Sequence, residues 1–252
     1  RTVGVVDFED VLLHAEASLR ERPLEGISAV VIDEAQDLSC VMLRMLHALV
    51  GDRPDGLTLI GDGQQTIYTG GYSLSEAGIS ISGRGVVMST NYRNTREIAQ
   101  FASAVVEGDE FVDIEGGPGR ADAALAVPRT GPSPVQPSFS SHAAHDAALV
   151  AHVRSLVASG VDAGDVGVLT ATNRDAQALA TALRAVGFGV VELTSYTGST
   201  APLVKVGTIK RAKGLEFKHV LLGRVAGELL APAVEGLDDG ARERREIERR
   251  EL

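Results

Sequence analysis

The stretch Val30-Val31-Ile32-Asp33-Glu34-Ala35-Gln36-Asp37 decides the fold. An apolar run this short, stopped abruptly by two acids, reads as a strand buried on both faces, as in parallel sheets covered by helices. Open α/β sheets bind ligands outside the carboxyl edge of their strands, which is where Asp33 and Glu34 fall. A carboxylate there suits a Mg²⁺ that carries a nucleotide phosphate, and a second beside it suits a base for an attacking water. The same letters also describe a strand end followed by a helix cap at Asp37 or Ser39. Taken alone, the stretch leaves both readings open.

Working outward, residues 7–20 carry a helical apolar stripe of Phe8, Val11, Leu12, Ala15 and Leu19. The helix after the acids is expected to run to about Val50, where Gly51-Asp52-Arg53-Pro54-Asp55-Gly56 signals a turn. Leu57 to Ile60 reads as a second buried strand, and it too stops on an acid, Asp62. Val86 to Ser89 reads as a third strand, and Thr95 as the cap of a helix over 96–107. Residues 108–141 are rich in Gly, Pro and Ser and read as a linker or irregular excursion. Beyond it, helices over 143–158 and 174–186 alternate with strands at 166–169, 188–193, 204–209 and 219–223. That alternation predicts an α/β protein with parallel sheets and right-handed crossovers. A boundary is expected near residue 87, giving domains 1–87 and 88–252, and the charged tail 238–252 reads as an exposed helix.

Composition narrows the function classes. With 252 residues, 44% apolar and 23% charged, the chain has material for one large domain or two ordinary ones. A net charge of −10 argues against a free-standing, non-specific DNA binder but leaves room for a groove with a local basic lining. Lys205, Lys210, Lys213 and Lys218 are the only lysines, and they crowd one segment with Arg211 and His219. Such clustering marks either a solvated face or a binding face. Cys40 is the single cysteine and reads as helix packing, which fits a reducing cytoplasm. No apolar run approaches the ~18 residues needed to span a membrane. His142, His145 and His152 lack acid or Cys partners at metal-ligand spacing. The start, Arg1-Thr2-Val3, has neither an initiator Met nor a signal-like core, so a longer parent chain is expected.

Three further segments tip the acidic stretch towards chemistry. Gly61-Asp62-Gly63-Gln64-Gln65-Thr66-Ile67-Tyr68 follows a buried strand, and its Gln65 can reach a γ-phosphate or the attacking water. Asn91-Tyr92-Arg93 offers an aromatic face for a base and a guanidinium for phosphate charge. Thr208 to Phe217 is a basic loop with a close-approach glycine, Gly214, and an acid, Glu216, suited to a ribose hydroxyl.

In this order the segments resemble the UvrD/Rep family of superfamily 1 DNA helicases. Asp33 to Asp37 is similar to motif II, a Walker B element written D-E-x-Q-D. Gly61 to Tyr68 is similar to motif III, Asn91-Tyr92-Arg93 to motif IV, and Lys213-Gly214-Leu215-Glu216-Phe217 to the end of motif V. The resemblance implies two RecA-like P-loop NTPase lobes, the first incomplete, with ATP and Mg²⁺ in the cleft between them. It implies that Asp33 binds Mg²⁺, Glu34 activates water, Gln65 senses the γ-phosphate and Arg93 acts as an arginine finger. Tyr92 would stack on adenine, Glu216 would bind ribose, and Gln36, Asp37 and Gly214 would line the nucleotide. Tyr68, Thr208, Lys210 and Lys213 would contact DNA, single-stranded or partly duplex, along which the protein would move 3′ to 5′.

The chain departs from the family pattern at several points. No G-x-x-x-x-G-K-S/T loop occurs in its 252 residues, and none of its lysines follows a glycine. Motif VI is absent, Gly70 stands where an aromatic is common (Tyr72 is nearby), and Lys210 stands where motif V usually has His. The interval between motifs IV and V, about 110 residues, leaves no room for the large accessory subdomain. By itself, therefore, the chain is expected not to hydrolyse ATP. The alternative is a non-catalytic, helicase-like binding or regulatory module. The joint presence of Glu34, Gln65 and Arg93 argues against it, because nothing structural requires the three together. A helicase fused to a nuclease is a third possibility.

Overall fold

The computed structural model describes residues 6–62, 74, 76–80, 84–105, 110–112, 118–120 and 126–225. The chain divides into two compact units between Pro134 and Val135. The boundary near residue 87, expected where one sheet ends and a second begins, falls inside the first of these units. Residues 126–131 hydrogen-bond to 89–97 and so group with the first unit.

In the first unit, helix α1 (Phe8–Glu21) begins with a capping box: the Asp7 carboxylate accepts the Asp10 N–H, and Asp10 reciprocates. It packs on α2 (Cys40–Ala48), which is capped by Ser39. The contact differs from the expected stripe. Of that stripe Leu12, Ala15 and Leu19 are half-buried, but Phe8 and Val11 are exposed, and the fully buried residue is Glu16, held by Arg44 at 3.2 Å and Arg20 at 2.8 Å. Strands β1 (Val30–Ile32) and β2 (Leu57–Leu59) pair in parallel, Val30 facing Leu57 and Ile32 facing Leu59. They are not buried on both faces as expected: Val31 is 68% exposed, and Thr58 is exposed too. Ile32, Ala35, Leu43, Leu74, Ala77 and Ile79 form the core, with Cys40 packed against it.

Two expectations downstream are corrected. Val86, Val87 and Met88 form no strand; they lie 80–88% exposed, and the nearby pairing is a single bridge from Thr90 to Ala126. The supposedly irregular 108–141 contains a hairpin, β3 (Glu110–Val112) against β4 (Pro118–Arg120). Helix α3 (Arg96–Val105) follows Thr95, which caps it as expected, the Ile98 N–H donating to the Thr95 hydroxyl at 3.4 Å.

The second unit is a four-stranded sheet, all parallel, in the order β6-β7-β5-β8. Its elements are α4 (His142–Ala158), β5 (Val166–Thr170), α5 (Asn173–Ala185), β6 (Val190–Glu192), β7 (Val204–Thr208), a short α6 (Ile209–Ala212) and β8 (His219–Leu222). Ser141 caps α4 and Thr172 caps α5. β5 is interior to the sheet and buried at every residue, which is why Val166 to Leu169 reads as an unbroken run without polar side chains. Val153, Leu179 and Leu183 from the helices close over Val166, Val168, Val204 and Val206. Together the units are mixed α/β with parallel sheets, as expected of RecA-like lobes. The expected tail helix 238–252 lies outside the described residues. No helix among the described residues is long and apolar enough to cross a membrane.

Candidate functional site

At the end of β1 the chain makes a sharp turn. Glu34 adopts a left-handed backbone (φ 52°), uncommon for a residue with a side chain, and its N–H donates to Asp33 Oδ1 at 2.9 Å. A 3₁₀ turn over Ala35–Asp37 follows, with Asp37 half-buried; Ser39, not Asp37, caps α2. The turn is tied to β2 twice: Ile60 N–H donates to Ile32 C=O at 2.8 Å, and Ala35 N–H to Ile60 C=O at 2.9 Å. Asp33 is exposed and Glu34 half-buried, so two carboxylates sit at the carboxyl end of a parallel pair. Hard oxygen donors in that position fit a Mg²⁺ that is otherwise held by phosphate and water.

Gln36 organises this turn. Its side chain is 6% exposed; Nε2 donates to Glu34 Oε2 at 2.5 Å and Oε1 accepts the Asp62 N–H at 3.1 Å. One buried amide thus holds the carboxylate at the end of β1 and the backbone beyond β2. Replacing Gln36 by Leu removes both hydrogen bonds and is expected to destabilise the first unit by about 1–2 kcal/mol. Gln36→Glu keeps the acceptor for Asp62 but sets a carboxylate against Glu34. Urea unfolding of the three proteins checks both, and equal midpoints would refute the role. Gln65 and Tyr68 lie outside the described residues.

Asn91-Tyr92-Arg93 sits on a bend between an extended segment and α3. The Asn91 carboxamide oxygen accepts the N–H groups of Arg93 and Asn94, both at 3.0 Å, an Asx turn that lifts Tyr92 and Arg93 outward. Both side chains are exposed, Tyr92 at 71%. Arg129, which the sequence reading passed over, donates to the carbonyls of Tyr92 and Arg93.

In the second unit the basic segment does not form one patch. Lys205 is buried in β7, where its ammonium donates to the Gly164 carbonyl and lies 5.6 Å from the centre of the Tyr196 ring. Lys218 pairs with Asp165 at 2.7 Å. These two lie towards the amino ends of the strands, whereas Lys210 and Lys213 follow the carboxyl end of β7. Thr208 spends its hydroxyl on the cap of α6, accepting the Arg211 N–H at 3.3 Å. After α6, Gly214 takes a left-handed φ of 80°, a conformation glycine adopts at low cost, and Glu216 is exposed.

The same carboxyl edge carries a cluster absent from the sequence reading. Arg224, just past β8, donates Nε and Nη2 to the two oxygens of Asp146 at 3.1 and 2.6 Å, and Nη1 to Asp175 at 3.0 Å. His145 Nε2 accepts the Arg224 N–H at 3.2 Å. An accepting ring nitrogen bears no hydrogen, so Nδ1 carries it and faces Asp146 Oδ1 at 3.1 Å. His145 is thereby a structural residue. Among the described residues no group of three or more His, Cys, Asp or Glu is placed to hold a metal ion.

Sequence comparison supplies the family of these parallel α/β units. Residues 2–71 match the UvrD/REP helicase N-terminal domain. The chain is 30% identical over 199 residues to the ATP-dependent DNA helicase UvrD2 of Mycobacterium tuberculosis (strain ATCC 25618 / H37Rv), covering 73% of this chain and 27% of that protein. It is 26% identical over 241 residues to the RecBCD enzyme subunit RecB of Mycolicibacterium smegmatis, covering 79% of this chain and 21% of that one. It is 26% identical over 126 residues to the ATP-dependent DNA helicase Rep of Buchnera aphidicola, covering 43% and 18%. The chain is UvrD/Rep-like, and it spans about a quarter of the length of UvrD2.

Proposed function

We propose that this chain is part of an ATP-dependent DNA helicase or translocase that moves 3′ to 5′ on single-stranded DNA. The turn at the end of β1 carries the proposal: Asp33 and Glu34 project from a parallel strand end, with Gln36 fixing Glu34 to the neighbouring strand. Asp33 is assigned to the Mg²⁺ of the nucleotide, a cation that neutralises developing phosphate charge. Glu34 orients and deprotonates the attacking water. Gln65 and Arg93 are assigned to the γ-phosphate, Tyr92 to the base, Glu216 to the ribose, and Gln36, Asp37 and Gly214 to the surrounding shell. Gln36 acts there by holding Glu34. Tyr68, Thr208, Lys210 and Lys213 are assigned to DNA, Thr208 by way of the α6 turn it caps.

Residues 1–252 contain no lysine-bearing phosphate loop, so this chain alone is expected to show no DNA-stimulated ATP turnover. Turnover by the isolated chain would sink the assignment of a missing cradle. Strand displacement from a 3′-tailed duplex by the full-length protein tests the function itself, and displacement only from a 5′ tail would overturn the polarity.

A further inference from the structure

Residues 126–131 form a strap across the bend that presents Tyr92 and Arg93. Asn91 N–H donates to the Ala126 carbonyl and Ala126 N–H to the Ser89 carbonyl, both at 2.9 Å. At the far end Arg96 N–H donates to the Arg129 carbonyl at 2.9 Å, and Gly131 N–H to the Glu97 carboxylate at 2.8 Å. Gly131 passes so close that a Cβ there would lie 2.7 Å from Thr95 Cγ2. The strap is therefore pinned on both sides of the Asx turn. Between the pins, Arg129 Nη1 donates to two consecutive carbonyls, Tyr92 at 3.4 Å and Arg93 at 3.2 Å.

Two carbonyls sharing one guanidinium nitrogen fix the two peptide planes that flank the Arg93 Cα, and with them the direction in which the Arg93 side chain leaves the backbone. Asn91 constrains the same residues from the amide side. We infer that Arg129 is a positioning residue: through the carbonyls of Tyr92 and Arg93 it sets the direction in which the Arg93 guanidinium is presented. This rests on the proposed role of the Arg93 side chain at a nucleotide. Arg93 acts on charge that develops in the transition state, so misplacing it costs turnover more than binding.

The test compares Arg129→Ala and Arg129→Lys with wild type. In this chain, hydrogen exchange at residues 91–96 is expected to quicken roughly tenfold in the alanine variant, as a local opening, with the melting temperature little changed. Lysine offers rotatable donors without the planar fork and is expected to restore part of the protection. In the full-length protein, kcat should fall roughly tenfold in Arg129→Ala with KM for ATP nearly unchanged. Arg93→Ala is the control that separates the two claims. If it leaves turnover intact, the proposed role of Arg93 fails, and Arg129 with it as a catalytic aid. If it abolishes turnover while Arg129→Ala matches wild type in both exchange and kcat, the positioning role is overturned. Should Arg129→Ala fail to fold, the same comparison is read from Arg129→Lys, whose identity with wild type in both measurements would also overturn it.

Discussion

Glu34→Gln is expected to lower DNA-stimulated ATP turnover of the full-length protein by about 10²- to 10⁴-fold, the range lost with a general base. The substitution isolates chemistry from structure. Glutamine is the same size, meets the same left-handed backbone demand at φ 52°, and its amide oxygen can still accept from Gln36. Folding stability should therefore change by no more than about 1 kcal/mol. Nucleotide binding should survive, because Asp33 and the phosphate contacts are untouched. Stopped turnover with retained binding of a fluorescent ATP analogue would support the base assignment. Unwinding that persists in the variant would refute it.

Much of this architecture is legible in the letters because it rests on local rules. Val30 to Ile32 and Leu57 to Leu59, each followed within three residues by an acid, pair as parallel strands, although only one face of β1 is covered. Ser39, Thr95, Ser141 and Thr172 precede helices because a side-chain oxygen there satisfies an otherwise unpaired N–H. Val86 to Met88 obeys the same composition rule and still forms no strand. Apolar, β-branched composition supplies the tendency, but a strand needs a neighbour to pair with, and composition does not name one.

Long-range partnerships were the illegible part. Lys205 and Lys210 are five positions apart, yet a parallel strand carries them to opposite edges of the sheet, one into the core and the other to its surface. Proximity in sequence suggested one basic patch, and the strand direction divides it. Arg129 sits in a Pro- and Gly-containing stretch that resembles a linker, but its partners lie 36 and 37 residues upstream. Nothing local distinguishes an arginine that chelates distant carbonyls from one that is merely solvated. The candidate site follows the same division. Its acids stand together in sequence, whereas Gln36 shows its role only once β2 brings Asp62 alongside.

Arg224→Ala is expected to destabilise the second unit by about 3 kcal/mol, the cost of leaving two largely buried carboxylates without their cation. The side chains of Arg224, Asp146 and Asp175 are only 14%, 18% and 14% exposed, so water can do little to replace the lost cation. The backbone adds a second, separable contribution. Arg224 is left-handed at φ 56°, and the preceding Gly223 packs so tightly that a Cβ would meet Leu179 Cδ1 at 2.5 Å. Alanine keeps the backbone cost and loses the ion pairs; Arg224→Gly loses the ion pairs and relieves about 1 kcal/mol of the cost. Glycine should therefore be the milder substitution, an order that pure side-chain reasoning would not give. The effect also has a pH signature. Hydrogen bonds from Arg224 hold the Asp146 carboxyl below its ordinary value of 3.8, against the opposing push of burial. Burial pushes Asp175 up, but hydrogen bonds from Thr172 and Arg224 outweigh it and leave the carboxyl lowered. Carboxylates with depressed folded pKa values stabilise fully above the unfolded value and lose that contribution as the pH falls through the folded one. Urea unfolding should thus show the whole gap between wild type and Arg224→Ala near neutrality, narrowing as the pH drops below 3.8. A gap that is missing at neutral pH, or that stays constant in acid, would mean that β8 is held in place by packing alone.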